Sequence, residues 1–201
     1  MNSFYRVIRG IVAPFVRFLM PFKVEGIENI PETEGAVICC NHISMSDPFY
    51  LSVAVKKRQI HYMSKYELFK NPILRFVLVR LGAFAVKRGT GDTSAIDTAI
   101  EIVKNGSILG IFPEGTRYTD GLPPRKAKSG VAVIVAKTNA IVIPTAICRK
   151  GKFCFFRKTV VRFGKPIETS ELNITDGNRN ELRAVTSVLT EKITELWELG
   201  I

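Results

Sequence analysis

Histidine is scarce in this sequence, which has only two among its 201 residues. So few imidazoles argue against a histidine-rich metal site. The four cysteines form no C-x-x-C pair, and all lie in or beside apolar runs: Cys39, Cys40, Cys148 and Cys154. This placement predicts small core residues in a reducing compartment, and it excludes both a disulfide framework and a zinc site.

Long apolar runs are lacking as well. The most apolar stretch, residues 1–21, is interrupted by Arg6, Arg9 and Arg17, so it is too short for a spanning helix. It has no small-residue cleavage site and does not resemble a signal peptide. Its apolar side chains recur at helical spacing, which predicts an amphipathic helical segment that Pro14 kinks or divides. Such a segment either lies on the inner leaflet of a membrane as an interfacial helix or packs on its own domain.

Acidic residues are few in the middle of the chain. Residues 51–165 contain 22 Lys and Arg against 6 Asp and Glu, whereas the whole chain has a net charge of +11. A region this basic favours an anionic partner, such as nucleic acid, an anionic membrane, a phosphorylated small molecule or an acidic protein, unless it is only a solvated surface. Nucleic acid fits poorly because most of the phenylalanines lie in apolar runs and no recognisable binding module is present.

The remaining pattern alternates strands with helices and contains no internal repeat. Short apolar runs predict strands at 22–26, 36–40, 60–64, 84–86, 107–112 and 140–147, and one or two more within 153–163. Helical spacing predicts helices at 48–57, 72–81, 93–104, 130–138 and 178–199. This order predicts one α/β domain over residues 22–201, with a mixed, mostly parallel sheet flanked by helices on both faces, after the amphipathic segment at 1–21.

A polar turn, Asn41-His42-Ile43-Ser44-Met45-Ser46-Asp47-Pro48, follows the buried strand at 36–40. One turn can bring His42 and Asp47 together, where the carboxylate would hold the imidazole in the tautomer that leaves the other nitrogen free as a base. The alternative is that both residues serve only the turn, because Asp47 also suits a helix N-cap and Pro48 suits the first helical position. His61 alternates with apolar neighbours in a strand, which favours a structural role.

A second polar turn, Phe-Pro-Glu-Gly-Thr-Arg at residues 112–117, again follows an apolar strand, and ligands of open α/β sheets bind at such strand ends. Gly115 allows a sharp turn close to a ligand, and Arg117 can bind a phosphate through two donors. Glu114 can hold that arginine or a substrate hydroxyl. The alternative is a surface turn with a local Glu–Arg pair.

Together these stretches resemble the glycerolipid acyltransferase family. Its Asn-His-x4-Asp motif matches Asn41, His42 and Asp47, and its Phe-Pro-Glu-Gly-Thr-Arg motif is complete at residues 112–117. Its fourth motif, an aliphatic run ending in proline, matches residues 141–144, and its second, which ends in arginine, resembles residues 82–88 most loosely. The order and spacing fit over residues 24–165. The resemblance implies transfer of a fatty acyl group from acyl-CoA or acyl carrier protein to lysophosphatidic acid, or to another lysophospholipid.

The resemblance also implies roles for individual residues. His42 would be the catalytic base, and Asp47 would orient it. The acceptor's phosphate and glycerol would contact residues from three loops: Lys87, Arg88, Glu114, Gly115, Thr116, Arg117 and Lys128. No metal and no cofactor is implied. We expect a peripheral protein on the cytoplasmic face of the cell membrane, with an anionic membrane surface as a partner and no nucleic acid.

Overall fold

The computed structural model describes residues 1–87, 93–149, 151 and 154–201. Its helices are α1 Ser3–Leu19, α2 Asp47–Ala54, α3 Pro72–Arg80, α4 Thr93–Lys104, α5 Ser129–Thr138 and α6 Arg179–Glu198. Its strands are β1 Phe22–Glu25, β2 Ala36–Cys40, β3 Ile60–Lys65, β4 Ala83–Val86, β5 Ile108–Ile111, β6 Ile141–Arg149 and β7 Thr159–Phe163. Most predicted elements are present within a few residues of their expected ends.

The strands form one seven-stranded sheet in the order β1-β7-β6-β2-β5-β3-β4. Strands β6, β2, β5, β3 and β4 pair in parallel, whereas β7 runs antiparallel to β6 and carries β1 parallel to itself. The predicted mixed, mostly parallel sheet is therefore confirmed. The carboxyl ends of the central strands β2 and β5 lie side by side, so the two polar turns that follow them leave the sheet at one edge.

Helices cover both faces of the sheet, as expected. On one face α4, α5 and α6 pack on alternate residues of the central strands, such as Val37 and Leu109. On the other face α1 and α2 pack on the intervening residues, such as Ile38 and Ile108. Strands buried on both faces explain why β2 and β5 are continuous apolar runs rather than alternating ones.

The amino-terminal helix has two different faces. Tyr5 and Val16 are buried against the domain, and the guanidinium of Arg9 donates hydrogen bonds of 3.0 Å to the carbonyls of Ser52 and Val53 on α2. The opposite face exposes four apolar side chains: Val7, Ile11, Phe15 and Phe18. Of the two interpretations of this segment, packing on the domain holds for one face, and the other face stays open to solvent. Among the described residues, no helix has the length and apolar character needed to cross a membrane.

Three local predictions hold only in part. Pro14 does not divide the first helix, because α1 is assigned as one helix on both sides of it. Of the one or two strands predicted within 153–163, the described residues form one, which begins at Thr159 after a turn at 155–156. Cys154 is exposed, whereas the other three cysteines are buried as predicted.

Candidate active site

The two polar turns meet at the carboxyl edge of the sheet. The backbone N–H of Tyr118 donates to the carbonyl of His42 at 2.9 Å, and the backbone N–H of His42 donates to Oε1 of Glu114 at 3.3 Å. These two contacts join the loop after β2 to the loop after β5 immediately beside Arg117. The sequence predicted that each turn follows a strand, and the structure brings the two turns into contact.

Asn41 fixes where the catalytic turn leaves the sheet. Its buried side chain donates from Nδ2 to the carbonyl of Ile147 at 3.1 Å and accepts from the N–H of Ile147 at 2.8 Å. The amide thus continues the pairing of β2 with β6 beyond Cys40, where the backbone ladder ends. Sequence reasoning used Asn41 only to recognise the motif and missed this role, because the strand order that brings Ile147 alongside could not be known.

His42 and Asp47 form the contact that the sequence predicted. Nδ1 of His42 lies 2.8 Å from Oδ2 of Asp47, and the same oxygen accepts the backbone N–H groups of Ile43 and Ser44 at 2.8 Å each. The carboxylate is fully buried, whereas 13% of the imidazole is exposed. An ionised carboxylate can only accept, so Nδ1 carries the proton, and Nε2 keeps a free lone pair.

Asp47 is not the helix N-cap that the sequence suggested. Ser46 occupies that position, and Asp47 is the first residue of α2. Its carboxylate turns back to the preceding loop instead, and this is why it can hold both the imidazole and the backbone of the turn. Pro48 follows at the second helical position, where a missing N–H costs nothing.

Phe112 covers one side of the imidazole. Its ring stacks on His42 with ring centroids 4.1 Å apart and planes inclined by 17°. The ring of Tyr62, on β3, lies nearly parallel to the ring of Phe112, with centroids 6.2 Å apart. Stacking restricts rotation of the imidazole and excludes water from that face. Sequence reasoning assigned Phe112 no role beyond the motif, and no local signal distinguished it from the other apolar residues of the strand.

Glu114 is a buried carboxyl group rather than part of a surface ion pair with Arg117. Oε1 accepts the N–H of His42, and Oε2 has no partner among the described residues. Burial raises the pKa of Glu114 to about 7; the N–H of His42 opposes this shift, and the charge of Asp47 adds to it. Glu114 therefore stabilises the turn that carries His42. Near neutral pH its carboxyl group populates both the neutral and the charged form.

This raised pKa gives a testable dependence of stability on pH. The folded state binds the proton more tightly than the unfolded chain, so Glu114 favours folding at low pH and loses that contribution as pH rises through about 7. Glu114→Gln mimics the neutral acid and does not lose this contribution. As pH rises from about 4.5 to 7, the free energy of unfolding of the variant should therefore increase relative to that of the unmodified protein. The increase should be at most about 1.4 kcal/mol for each unit by which the pKa of Glu114 is raised. Urea unfolding of both proteins over this range measures the difference, and a difference that does not change with pH would contradict the burial of this carboxyl group.

Three of the predicted acceptor-binding residues, Gly115, Thr116 and Arg117, belong to the same turn as Glu114. Thr116 and Arg117 are exposed, and Arg117 makes no hydrogen bond or ion pair with any described residue. Gly115 has φ +72°, and a Cβ there would lie 2.7 Å from Nζ of Lys128, so glycine lets that lysine lie across the turn. Lys87 is exposed at the end of β4, with Nζ 4.9 Å from the ring centre of Tyr66. Arg88, the other predicted arginine, lies outside the described residues.

This arrangement suits proton abstraction next to an anionic group. A carboxylate-oriented imidazole with a free nitrogen can accept a proton from a hydroxyl, and an exposed guanidinium on the contacting loop can bind a phosphate. Across the described ranges, no three His, Cys, Asp or Glu side chains cluster so that they could hold a metal ion.

Known proteins share this sequence pattern and fold. The protein-family model described as acyltransferase matches residues 21–148 of this chain. The chain is 35% identical over 177 residues to the 1-acyl-sn-glycerol-3-phosphate acyltransferase of Bacillus subtilis, covering 87% of each chain. It is 26% identical over 180 residues to the protein of the same name from Borreliella burgdorferi, covering 87% of this chain and 71% of that one.

The fold also matches a solved structure. The crystal structure of the 1-acyl-sn-glycerophosphate (LPA) acyltransferase PlsC from Thermotoga maritima aligns with a TM-score of 0.69 at 24% identity, covering 96% of this chain and 78% of that one. The family model covers well over half of the present chain and includes both polar turns of the site. The chain therefore belongs to the acyltransferase family, as its motifs predicted.

Proposed function

We propose that this protein transfers a fatty acyl group from an acyl thioester to the sn-2 hydroxyl of 1-acyl-glycerol 3-phosphate and so forms phosphatidic acid. Several relatives carry the name of this activity, including one at 35% identity. The observation that supports the proposal is the backbone contact between the two loops, in which the N–H of Tyr118, the residue after Arg117, donates to the carbonyl of His42, the partner of Asp47.

In the proposed reaction the hydroxyl of the acceptor attacks the thioester carbonyl directly. A thioester is already activated, so no acyl-enzyme intermediate is needed; the difficulty is the alcohol, which is a poor nucleophile while it keeps its proton. Nε2 of His42 takes this proton as the new C–O bond forms, and Asp47 stabilises the resulting imidazolium. The C–S bond then breaks, and the departing thiolate takes the proton back, which restores the neutral imidazole.

Binding of the acceptor's phosphate would orient its hydroxyl toward His42. Arg117 is the proposed main ligand of the phosphate, and Lys128, Lys87 and Arg88 are proposed as further cations that contact it. Gly115 and Thr116 would let the acceptor approach the backbone, and Glu114 holds the loop to His42. Fixing a phosphate and a hydroxyl of one molecule at two points converts binding into orientation.

Removing the phosphate ligand should affect one substrate selectively. We expect Arg117→Ala to raise KM for the lysophospholipid about 10- to 100-fold, because a hydrogen bond to a charged group contributes about 1.5–3 kcal/mol. KM for the acyl donor should change little. Arg125→Ala is the matched control, since Arg125 lies on the same loop but is paired with Asp120 at 2.8 Å. Equal effects of Arg117→Ala on both substrates would mean that Arg117 is structural.

The donor and the location of the enzyme belong to the same proposal. Acyl-CoA and acyl carrier protein are both anionic, and either would be attracted to the basic middle of the chain. The exposed apolar face of α1 suits an interfacial helix on the cytoplasmic face of the membrane, where the acceptor resides.

The direct test is an assay with the purified protein. Lysophosphatidic acid and a lysophospholipid with a larger headgroup should be offered with each of the two donor types, and the products identified by mass spectrometry. We expect phosphatidic acid as the main product. Preferred acylation of the other lysophospholipid would replace the proposed acceptor, and no acyl transfer to either would refute the function.

A further inference from the structure

Large apolar side chains are exposed very unevenly on this protein. Helices α4, α5 and α6, which cover one face of the sheet, expose none of them. The helices α1, α2 and α3 expose many: Val7, Ile11, Phe15, Phe18, Phe49, Ile73, Leu74, Phe76 and Val79. Concentrated apolar exposure of this kind marks an interaction surface rather than ordinary surface composition.

Helix α3 is the most unusual of these elements. None of its residues is buried, although its sequence is Pro-Ile-Leu-Arg-Phe-Val-Leu-Val-Arg. Ile73 is 74% exposed, and Leu74, Phe76 and Val79 are also exposed. An apolar helix normally gains its stability by burying such side chains, and here the domain buries none of them.

Helix α3 continues the exposed surface of α1. The rings of Phe4 and Phe76 meet edge to face with centroids 6.3 Å apart, and the guanidinium of Arg80 lies 3.5 Å from the centre of the Phe76 ring. The side chain of Asn2 donates to the carbonyl of Arg80 at 2.9 Å. These contacts hold the start of α1 against the end of α3, so the apolar side chains of the two helices lie next to one another.

The charges around α3 match an anionic bilayer. Residues 68–87 contain Lys70, Arg75, Arg80 and Lys87 and no acidic residue. Long basic side chains among exposed apolar ones are typical of interfacial helices, because their stems lie in the apolar layer while their charges reach the headgroups. Since α3 follows the carboxyl end of β3, its first residues lie at the edge of the sheet that carries His42.

We propose that α3 is a second membrane-binding element, which inserts its exposed apolar side chains into an anionic lipid bilayer beside the outer face of α1. This inference rests on the proposed function, because a lipid acceptor is what gives the surface its purpose. Two neighbouring helices on the bilayer would fix the orientation of the domain and hold the catalytic edge near the headgroup layer, where the acceptor's hydroxyl lies.

A fluorescent reporter tests the insertion directly. Ile73→Trp is made in a Trp197→Phe background, so that the single tryptophan lies on α3, and the protein is mixed with phosphatidylglycerol vesicles. We expect a blue-shifted emission that brominated lipid quenches. Leu199→Trp in the same background, also exposed but beyond the end of α6, is the control and should respond weakly. If the protein sediments with vesicles while the tryptophan on α3 stays unquenched, α3 does not insert.

A second pair of variants separates this inference from the proposed function. Ile73→Ser with Val79→Ser should weaken vesicle binding about tenfold or more, because each removes apolar area that would be buried in lipid. The rate of acylation of a vesicle-bound acceptor, divided by the rate of acylation of a short-chain acceptor, should fall by a similar factor. Leu199→Ser with Ile201→Ser is the matched control, for which both quantities should stay unchanged.

The outcomes are distinguishable. An unmodified protein that acylates neither acceptor refutes the function, whatever its vesicle binding. An active protein whose α3 variant keeps both vesicle binding and the activity ratio refutes the role of α3 alone. If instead the unmodified protein is a dimer in the absence of lipid and the α3 variant is a monomer, this face binds a second copy, and the bilayer is not its partner.

Discussion

Replacing His42 with alanine should lower kcat by about 10²–10⁴-fold, the usual contribution of a general base. The physical reason is that Nε2 is the proposed acceptor of the hydroxyl proton, while Nδ1 contacts Asp47. Melting temperature should change little, because the imidazole is partly exposed and the Asp47 carboxylate keeps its two backbone N–H donors without it. Steady-state kinetics with saturating donor and acceptor measure the effect.

The chain supplies a matched control in its other histidine. His61 is half-buried on β3, and burial lowers its pKa, so it is neutral and structural in this fold. His61→Gln should keep most of the activity, even if it costs some stability. Loss of activity in both variants to the same degree, or retention of more than a small fraction by His42→Ala, would show that His42 is not the base.

Asp47→Asn should produce the second large loss, of about 10²-fold or more in kcat. One oxygen of Asp47, Oδ2, accepts from Nδ1 of His42 and from both backbone N–H groups of the turn, so the amide oxygen of the variant can take its place and keep the tautomer. What the variant loses is the negative charge that stabilises the imidazolium formed when Nε2 takes the substrate's proton. The measurement is kcat for the variant, together with KM for the acceptor, which should change much less.

Asp120→Asn is the control for this change. Asp120 is exposed on the loop after the second polar turn and pairs with Arg125, so its replacement removes a negative charge near the site without touching the imidazole. If Asp120→Asn lowered kcat as much as Asp47→Asn, the effect would come from the net charge of the region rather than from the charge that contacts the imidazole. If Asp47→Asn lowered only the stability, Asp47 would be a structural residue.

Much of this fold was predictable because its strands are short apolar runs separated by amphipathic helices. The parallel strands also made part of the site predictable: turns that follow parallel strands leave the sheet at the same edge, so the turns of His42 and Arg117 were expected at one edge. The sequence could not give the strand order, so the bond between Asn41 and Ile147, 106 residues apart, was invisible. The stacking of Phe112 on His42 depends on the same order.

Local rules were less reliable where tertiary contacts compete with them. Aspartate before proline is a good helix cap by propensity, yet Asp47 turns its carboxylate away from α2 because three donors of the preceding turn face it. A proline often divides a helix, but α1 continues through Pro14 while one face packs on the domain. Glu114 looked like a surface partner for Arg117, and only its burial against the catalytic turn reveals its other role.

The central claim is that the free nitrogen of His42 faces the acceptor bound through Arg117. With two histidines in the chain, a nitrogen-15 spectrum of the imidazoles resolves both and reports which ring nitrogen carries the proton. We predict that neutral His42 is protonated at Nδ1. Lysophosphatidic acid, added without an acyl donor, should shift the Nε2 signal of His42 but not the signals of His61. Arg117→Ala should weaken this response of His42. A proton on Nε2 in the free protein, or an unchanged His42 signal at saturating lysophosphatidic acid, would contradict the account.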